Sequence, residues 1–144
     1  LHSIYKKHHL PLGSLCLEIT ESGLIENLEL ATQIIQGLSP LKVLLCLDDF
    51  GTGYSALGYL HQLPIHVMKI DKSFIDNLKT NANPLIDNIL TLAISLDLIV
   101  IAEGIETAEQ LTILQKTQCD YGQGFLKSKP VTATEAIALI HSPL

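Results

Sequence analysis

The sequence predicts an α/β domain of parallel strands alternating with helices, and three observations carry that prediction. Five short apolar runs of strand length recur with helix-period segments between them, the signature of βαβ units. The runs are nearly continuously apolar, as strands covered on both faces are. On the face that alternation picks out in each run a polar residue comes last, so these side chains would converge at the end of a barrel or doubly wound sheet where active sites are built.

The elements follow in order. A polar leading segment, in which His8 and His9 read as solvated, precedes the first strand, Leu15 to Thr20, whose alternation puts Cys16, Glu18 and Thr20 on one face. "IENLELATQIIQGL", residues 25–38, has apolar residues at helical spacing and stops near Gly37 and Pro40. The second strand runs from Val43 to Phe50 with Cys46 and Asp48 on one face; the third, His66 to Asp71, aligns Val67, Lys69 and Asp71. "NPLIDNILTLAISL" follows as a helix, with Asn83 as its cap and Pro84 in its first turn. The fourth strand, Leu98 to Gly104, aligns Ile101 with Glu103, and the weak fifth, Cys119 to Phe125, aligns Tyr121 with Gln123. Thr107 with Gln110, and Thr132 with Glu135, have the spacing of capping boxes that open the last two helices.

Composition narrows the function classes. The 144 residues make one domain, residues 1–144, and an apolar fraction of 47% is ample for a core. A net charge of -6 argues against a DNA or RNA duplex as partner, although carboxylates that hold metal can still receive a phosphate ligand. The longest apolar stretch is interrupted by Ser95 and Asp97 and falls short of the roughly 20 residues of a membrane span. Cys16, Cys46 and Cys119 are scattered among apolar residues and read as separate buried thiols of a reducing, cytoplasmic setting. The chain starts at Leu1 without an initiator Met and reads as a piece of a longer protein, membrane-anchored or not.

The adjacent pair Asp48 and Asp49 raises a specific question, because neighbouring carboxylates repel. In a regular strand they face opposite ways, so both reach one site only if the chain turns at Asp49, which Gly51 and Gly53 would permit. Alone, the pair reads equally as turn-forming aspartates at a strand end. Glu18 before it and Glu103 behind it tip the balance towards an oxygen-lined divalent metal site, Mg²⁺ or Mn²⁺. Lys69 either pairs structurally with a carboxylate or holds a phosphate oxygen or attacking water. Gln123 lies between Gly122 and Gly124, which allow close backbone approach but also suit an ordinary turn. Glu21 and Glu106 read as loop supports, and Asp71 as an outer partner of the site or a salt-bridge acceptor; no histidine has metal-ligand spacing.

"LEITES", "DDFGTGYSAL", "LPIHVMKIDKSFI", "IAEGIET" and "YGQGFLKSKP", in this order, resemble the bacterial EAL domain, a cyclic-di-GMP phosphodiesterase, over nearly the whole chain. The resemblance implies a modified TIM barrel that opens the cyclic dinucleotide to linear pGpG with two Mg²⁺ or Mn²⁺ ions and is inhibited by Ca²⁺. It implies Glu18, Asp48 and Asp49 as metal ligands, Asp48 bridging, with Glu103 on metal or its water, Lys69 positioning the hydrolytic water and Gln123 contributing to the same centre. Glu21 matches the glutamate that steadies the loop containing Gly51, Thr52 and Gly53, which the resemblance implies couples substrate binding and dimerisation to the metal site, the homodimer forming through the loop after Asp49 and the adjacent helix. Asp71 and Glu106 stand behind these residues, and His66 stands where an acidic residue is common.

The family's Glu-Ala-Leu signature and an asparagine ligand are absent and would precede Leu1. The chain therefore reads as the C-terminal portion of the domain: a partial (β/α) barrel lacking its first strands, open along one edge and inactive by itself, against about 250 residues for a closed barrel. The alternative is a catalytically degenerate module that binds cyclic-di-GMP or regulates a partner. A receiver-like phosphoacceptor domain fits less well, because the acidic pair falls on the second strand and no acceptor aspartate lies between it and Lys69.

Overall fold

The computed structural model describes residues 1–51, 57–60, 63–78 and 84–141. Their strands are β1 (Cys16–Thr20), β2 (Leu44–Phe50), β3 (Val67–Ile70), β4 (Ile99–Ala102) and β5 (Tyr121–Gly122). All four neighbouring pairs are parallel, and the strands lie in chain order. The helices are α1 (His2–His8), α2 (Glu21–Glu26), α3 (Leu28–Leu38), α4 (Leu57–Leu60), α5 (Lys72–Asp76), α6 (Pro84–Ser95), α7 (Ala108–Leu114) and α8 (Ala133–Ile140). Parallel strands in sequential order with helical crossovers form an arc of a (β/α) barrel, with β1 and β5 as its edges among the described residues.

One face of the sheet carries the core. Leu45, Leu47, Met68, Ile70, Val100 and Ala102 are buried beneath Ile35 of α3, Ile86, Ile89 and Leu90 of α6, and Leu114 of α7. Each large side chain so covered contributes roughly 1.5–3 kcal/mol. A smaller cluster of Tyr5, Leu41 and Val43 closes the N-terminal end of the strands. The other face, which lines the inside of the arc, is buried at Cys46, Val67 and Lys69 but exposed towards the edges, with Tyr121 at 63%. No described helix is long and apolar enough to cross a membrane.

The structure departs from the sequence expectation in four places. Residues 25–38 do not form one helix: Asn27 breaks the pattern, its side chain accepting the Leu30 N–H at 3.0 Å, so α2 ends and α3 begins there. Asparagine competes with helical hydrogen bonding in this way wherever its side chain can cap a new start. The leading segment, expected to be merely polar, forms α1, held by buried Tyr5 and by Lys6, Lys7 and His8 at its carbonyl end. His8 and His9 are exposed, as expected. Third, α5 follows β3 directly, capped by Asp71, whose carboxylate accepts the Ser73 N–H at 3.0 Å. Last, the strands are shorter than their apolar runs. Asn83, Thr52, Gly53 and His61 lie outside the described residues.

Candidate active site

Strand register brings the polar tips together. Thr20 pairs with Asp48 and Glu18 with Cys46 across β1 and β2, Cys46 pairs with Val67 across β2 and β3, and Lys69 with Ile101 across β3 and β4. Two residues past Val67 and Ile101, alternation returns Lys69 and Glu103 to the face that holds Glu18 and Asp48. The Lys69 Nζ lies 3.0 Å from Glu18 Oε1, 2.9 Å from Asp48 Oδ1 and 2.7 Å from Glu103 Oε1. The lysine is only 5% exposed.

Asp49 joins this centre through a local irregularity. The register between β2 and β3 shifts between Leu47 and Phe50, and Asp49 has φ of 55°. A bulge of this kind re-aims a side chain. The chain thus turns at Asp49, as convergence of the pair required; aspartate is one of the few non-glycine types that tolerates positive φ, and Gly51 follows with φ of 96°. As a result one oxygen each of Asp48, Asp49 and Glu103 lie within 4.8 Å of one another. Glu18 is not in that trio; it sits on the ammonium, with its side chain 54% exposed.

The electrostatics follow from the crowding. Burial pulls the Lys69 pKa down, but its contacts with Glu103, Asp48 and Glu18 outweigh this and raise it above the usual lysine range. Asp49 is pushed up by burial, then by the neighbouring charges of Asp48 and Asp71, with Lys69 opposing. Asp71 is held below the usual carboxylate range, first by the Ser73 hydroxyl and further by the Ser73 and Lys72 amides. The four carboxylates Glu18, Asp48, Asp49 and Glu103 outnumber the ammonium between them. Asp48 Oδ1 is buried, and the Lys69 ammonium contacts it at 2.9 Å. Three carboxylate oxygens that converge within 4.8 Å beside a single ammonium fit a hard divalent cation.

The surroundings hold the centre in place. Glu21, 2% exposed at the start of α2, accepts the Gly51 N–H at 3.0 Å and so ties α2 to the chain leaving β2. Gly51 has φ of 96°, and a Cβ there would lie 2.5 Å from Phe74 Cζ. Gln123 anchors through its backbone, its N–H donating to Ala102 O at 2.8 Å and its carbonyl accepting from Ile105 N at 3.1 Å. Gln123 lines a cavity of about 520 Å³ together with Glu103, Lys72, Glu106, Phe125 and Lys129. Glu106, paired with Lys72, lines the same cavity but is not one of the carboxylate trio.

Sequence reading missed three of these features. Lys72, Phe125 and Lys129 belong to the cavity wall, yet only the fold brings α5 beside the segment after β5. Gln110 was legible as part of a capping box, which the structure contains, but its Oε1 also accepts the Glu106 N–H at 2.8 Å and its Nε2 donates to Ile75 O at 3.3 Å. His66, assigned no role, accepts the Leu45 N–H on Nδ1 at 3.2 Å at the start of β2.

Comparison with known proteins places these residues in context. The EAL domain family profile matches residues 1–130. Over 117 residues the chain is 40% identical to the cyclic di-GMP phosphodiesterase NbdA of Pseudomonas aeruginosa, covering 80% of this chain and 15% of that protein. The chain spans a fifth or less of the length of the curated relatives it matches. Among solved structures, the EAL domain of Mycobacterium smegmatis DcpA superposes with a TM-score of 0.85 at 40% identity, covering 95% of this chain and 62% of that one. Klebsiella pneumoniae BlrP1, solved as a manganese and cyclic-di-GMP complex, superposes with a TM-score of 0.78 at 27% identity, covering 87% and 32%.

Proposed function

The chain belongs to the EAL domain family, and on that premise we propose that it supplies most of a metal-dependent centre that hydrolyses cyclic-di-GMP to linear pGpG. The observation that carries this reading is the convergence of Asp48, Asp49 and Glu103 oxygens within 4.8 Å, against the Lys69 ammonium, with Glu103 also lining a cavity of about 520 Å³. Asp48, Asp49, Glu103 and Glu18 are the residues that would hold Mg²⁺ or Mn²⁺. Once bound, such ions supply Lewis-acid stabilisation of charge on the phosphodiester and lower the pKa of the attacking water.

The chain's own residues do the rest of the positioning. Lys69, fixed by its buried stem, directs N–H groups into the centre, where it can hold the water oxygen in line with phosphorus. In the reaction the water oxygen bonds to phosphorus, the bond from phosphorus to one ribose 3′ oxygen breaks, and that oxygen takes up a proton. Gln123 and the cavity wall around Phe125 offer a polar edge and an apolar face to a base of the dinucleotide. Glu21, through Gly51, supports the chain as it leaves β2, and Asp71 and Glu106 brace α5.

The test is chromatographic. The intact protein with Mn²⁺ should convert cyclic-di-GMP to pGpG, D48N should lose at least about 100-fold in rate, consistent with removal of a charge-stabilising group, and Ca²⁺ should block turnover. Tight binding measured by calorimetry with no product under these conditions would replace hydrolysis by the binding-module reading. The 144 residues assayed alone should turn over little, because among the described residues β1 and β5 are edges of an unclosed arc. Dimerisation through the loop after Asp49 and the adjacent helix is part of the proposal, and sedimentation of the intact protein at rising concentration tests it.

A further inference from the structure

The ammonium and the divalent ions of the proposed centre want the same oxygens. Lys69 Nζ touches Asp48 Oδ1 at 2.9 Å and Glu103 Oε1 at 2.7 Å, and these two residues supply two of the three carboxylates that converge within 4.8 Å. The lysine is buried, so its head is not free to swing into solvent as a surface lysine would. Its third partner, Glu18 at 3.0 Å, holds it from the β1 side. A fixed positive charge among the ligands has two physical consequences. It offsets the mutual repulsion of the carboxylates and so lets the strand tips assemble. It also opposes every further cation brought to them, by direct repulsion and by occupying their lone pairs.

We propose that Lys69 is the residue that sets the cation affinity of this centre, acting as a built-in competitor of the divalent ions for Asp48 and Glu103. The inference rests on the metal-site reading above but concerns affinity, not turnover. It also accounts for the choice of lysine at this position beyond orienting water: an uncharged donor such as glutamine could orient a water equally well, but it would leave the carboxylates uncompensated when no ion is bound.

The experiment measures Mn²⁺ binding to the intact protein by the electron paramagnetic resonance signal of the free ion. K69M should bind Mn²⁺ at least about tenfold more tightly than wild type, a shift of roughly 1.4 kcal/mol. K69R, which keeps the charge, should stay near wild type, and so should K42M, which removes a charge at the opposite end of the strands. Unchanged or weaker binding in K69M overturns the proposal, as does equal tightening in K42M. Should K69M fail to fold, the wild-type protein decides: the ¹⁵N ammonium resonance of Lys69 must shift on titration with Mg²⁺, and a resonance that stays put at saturation overturns the proposal. A protein with this Lys69 dependence that leaves cyclic-di-GMP intact would sink the phosphodiesterase reading alone. A phosphodiesterase whose Mn²⁺ affinity ignores Lys69 would sink this inference alone.

Discussion

Gly51 is where backbone strain, packing and the candidate site meet, and G51A separates their contributions. The residue has φ of 96°, outside the range an L residue adopts freely, so alanine there costs about 1–2 kcal/mol in backbone energy. The added Cβ would also lie 2.5 Å from Phe74 Cζ and 2.7 Å from Cε2, against about 3.5–4.0 Å for ordinary carbon contact. Displacing the ring is an overpacking cost of about 1–3 kcal/mol. The expected loss is therefore about 2–5 kcal/mol, a large share of the roughly 5–15 kcal/mol that holds a typical domain folded. Urea unfolding of wild type, G51A, F74L and the double variant resolves the two parts. Leucine lacks the Cε and Cζ atoms that clash, so in the F74L background G51A should cost only the backbone part, giving a coupling of at least about 1 kcal/mol. A G51A penalty below about 0.5 kcal/mol, or the same penalty in both backgrounds, would refute the reasoning.

Other expectations follow from single contacts. G124A should destabilise strongly and resist rescue by any side-chain change, because its Cβ would lie 2.0 Å from the Ile105 carbonyl oxygen and 2.3 Å from its nitrogen; a melting temperature near wild type would contradict the geometry. E21A should cost about 2–4 kcal/mol by removing a buried acceptor and its volume, whereas E21Q, which keeps an acceptor for the Gly51 N–H, should cost about 1 kcal/mol; equal losses would mean that the hydrogen bond to Gly51 is not what Glu21 contributes. Burial pushes the Cys46 thiol up to about 12, followed in effect by the nearby Cys16. A pKa raised on folding favours the native state fully below the unfolded thiol value and progressively less as pH rises towards 12. At pH 10 the loss should be about 2 kcal/mol relative to pH 7, and C46A should lack this increment in paired urea titrations. An identical pH dependence in C46A would show that Cys46 is not responsible.

Much of this architecture was legible from local patterning. Apolar runs marked the first four strands and, weakly, the fifth, and two Thr-to-Gln or Thr-to-Glu spacings marked the starts of α7 and α8, both of which carry complete capping boxes. These signals are local because capping and alternation involve residues a few positions apart. The break at Asn27 was less visible because a cap in the middle of an apolar period looks like one polar residue on a helix. For α1 the difficulty was different: its sequence carries little apolar periodicity, and Tyr5 is buried only because Leu41 and Val43 come from elsewhere in the chain.

The amino-acid order alone determined which residue types reach the strand tips, since alternation assigns each side chain a face once a strand exists: Glu18, Asp48, Lys69, Glu103 and Gln123 all followed from it. Tertiary structure alone decided how they divide. Interstrand register delivered Lys69 into the midst of three carboxylates, and the bulge at Asp49 gathered Asp48, Asp49 and Glu103 while leaving Glu18 on the ammonium. Register and bulges depend on pairing between segments tens of residues apart, so a one-residue difference invisible in either strand by itself determines which oxygens meet.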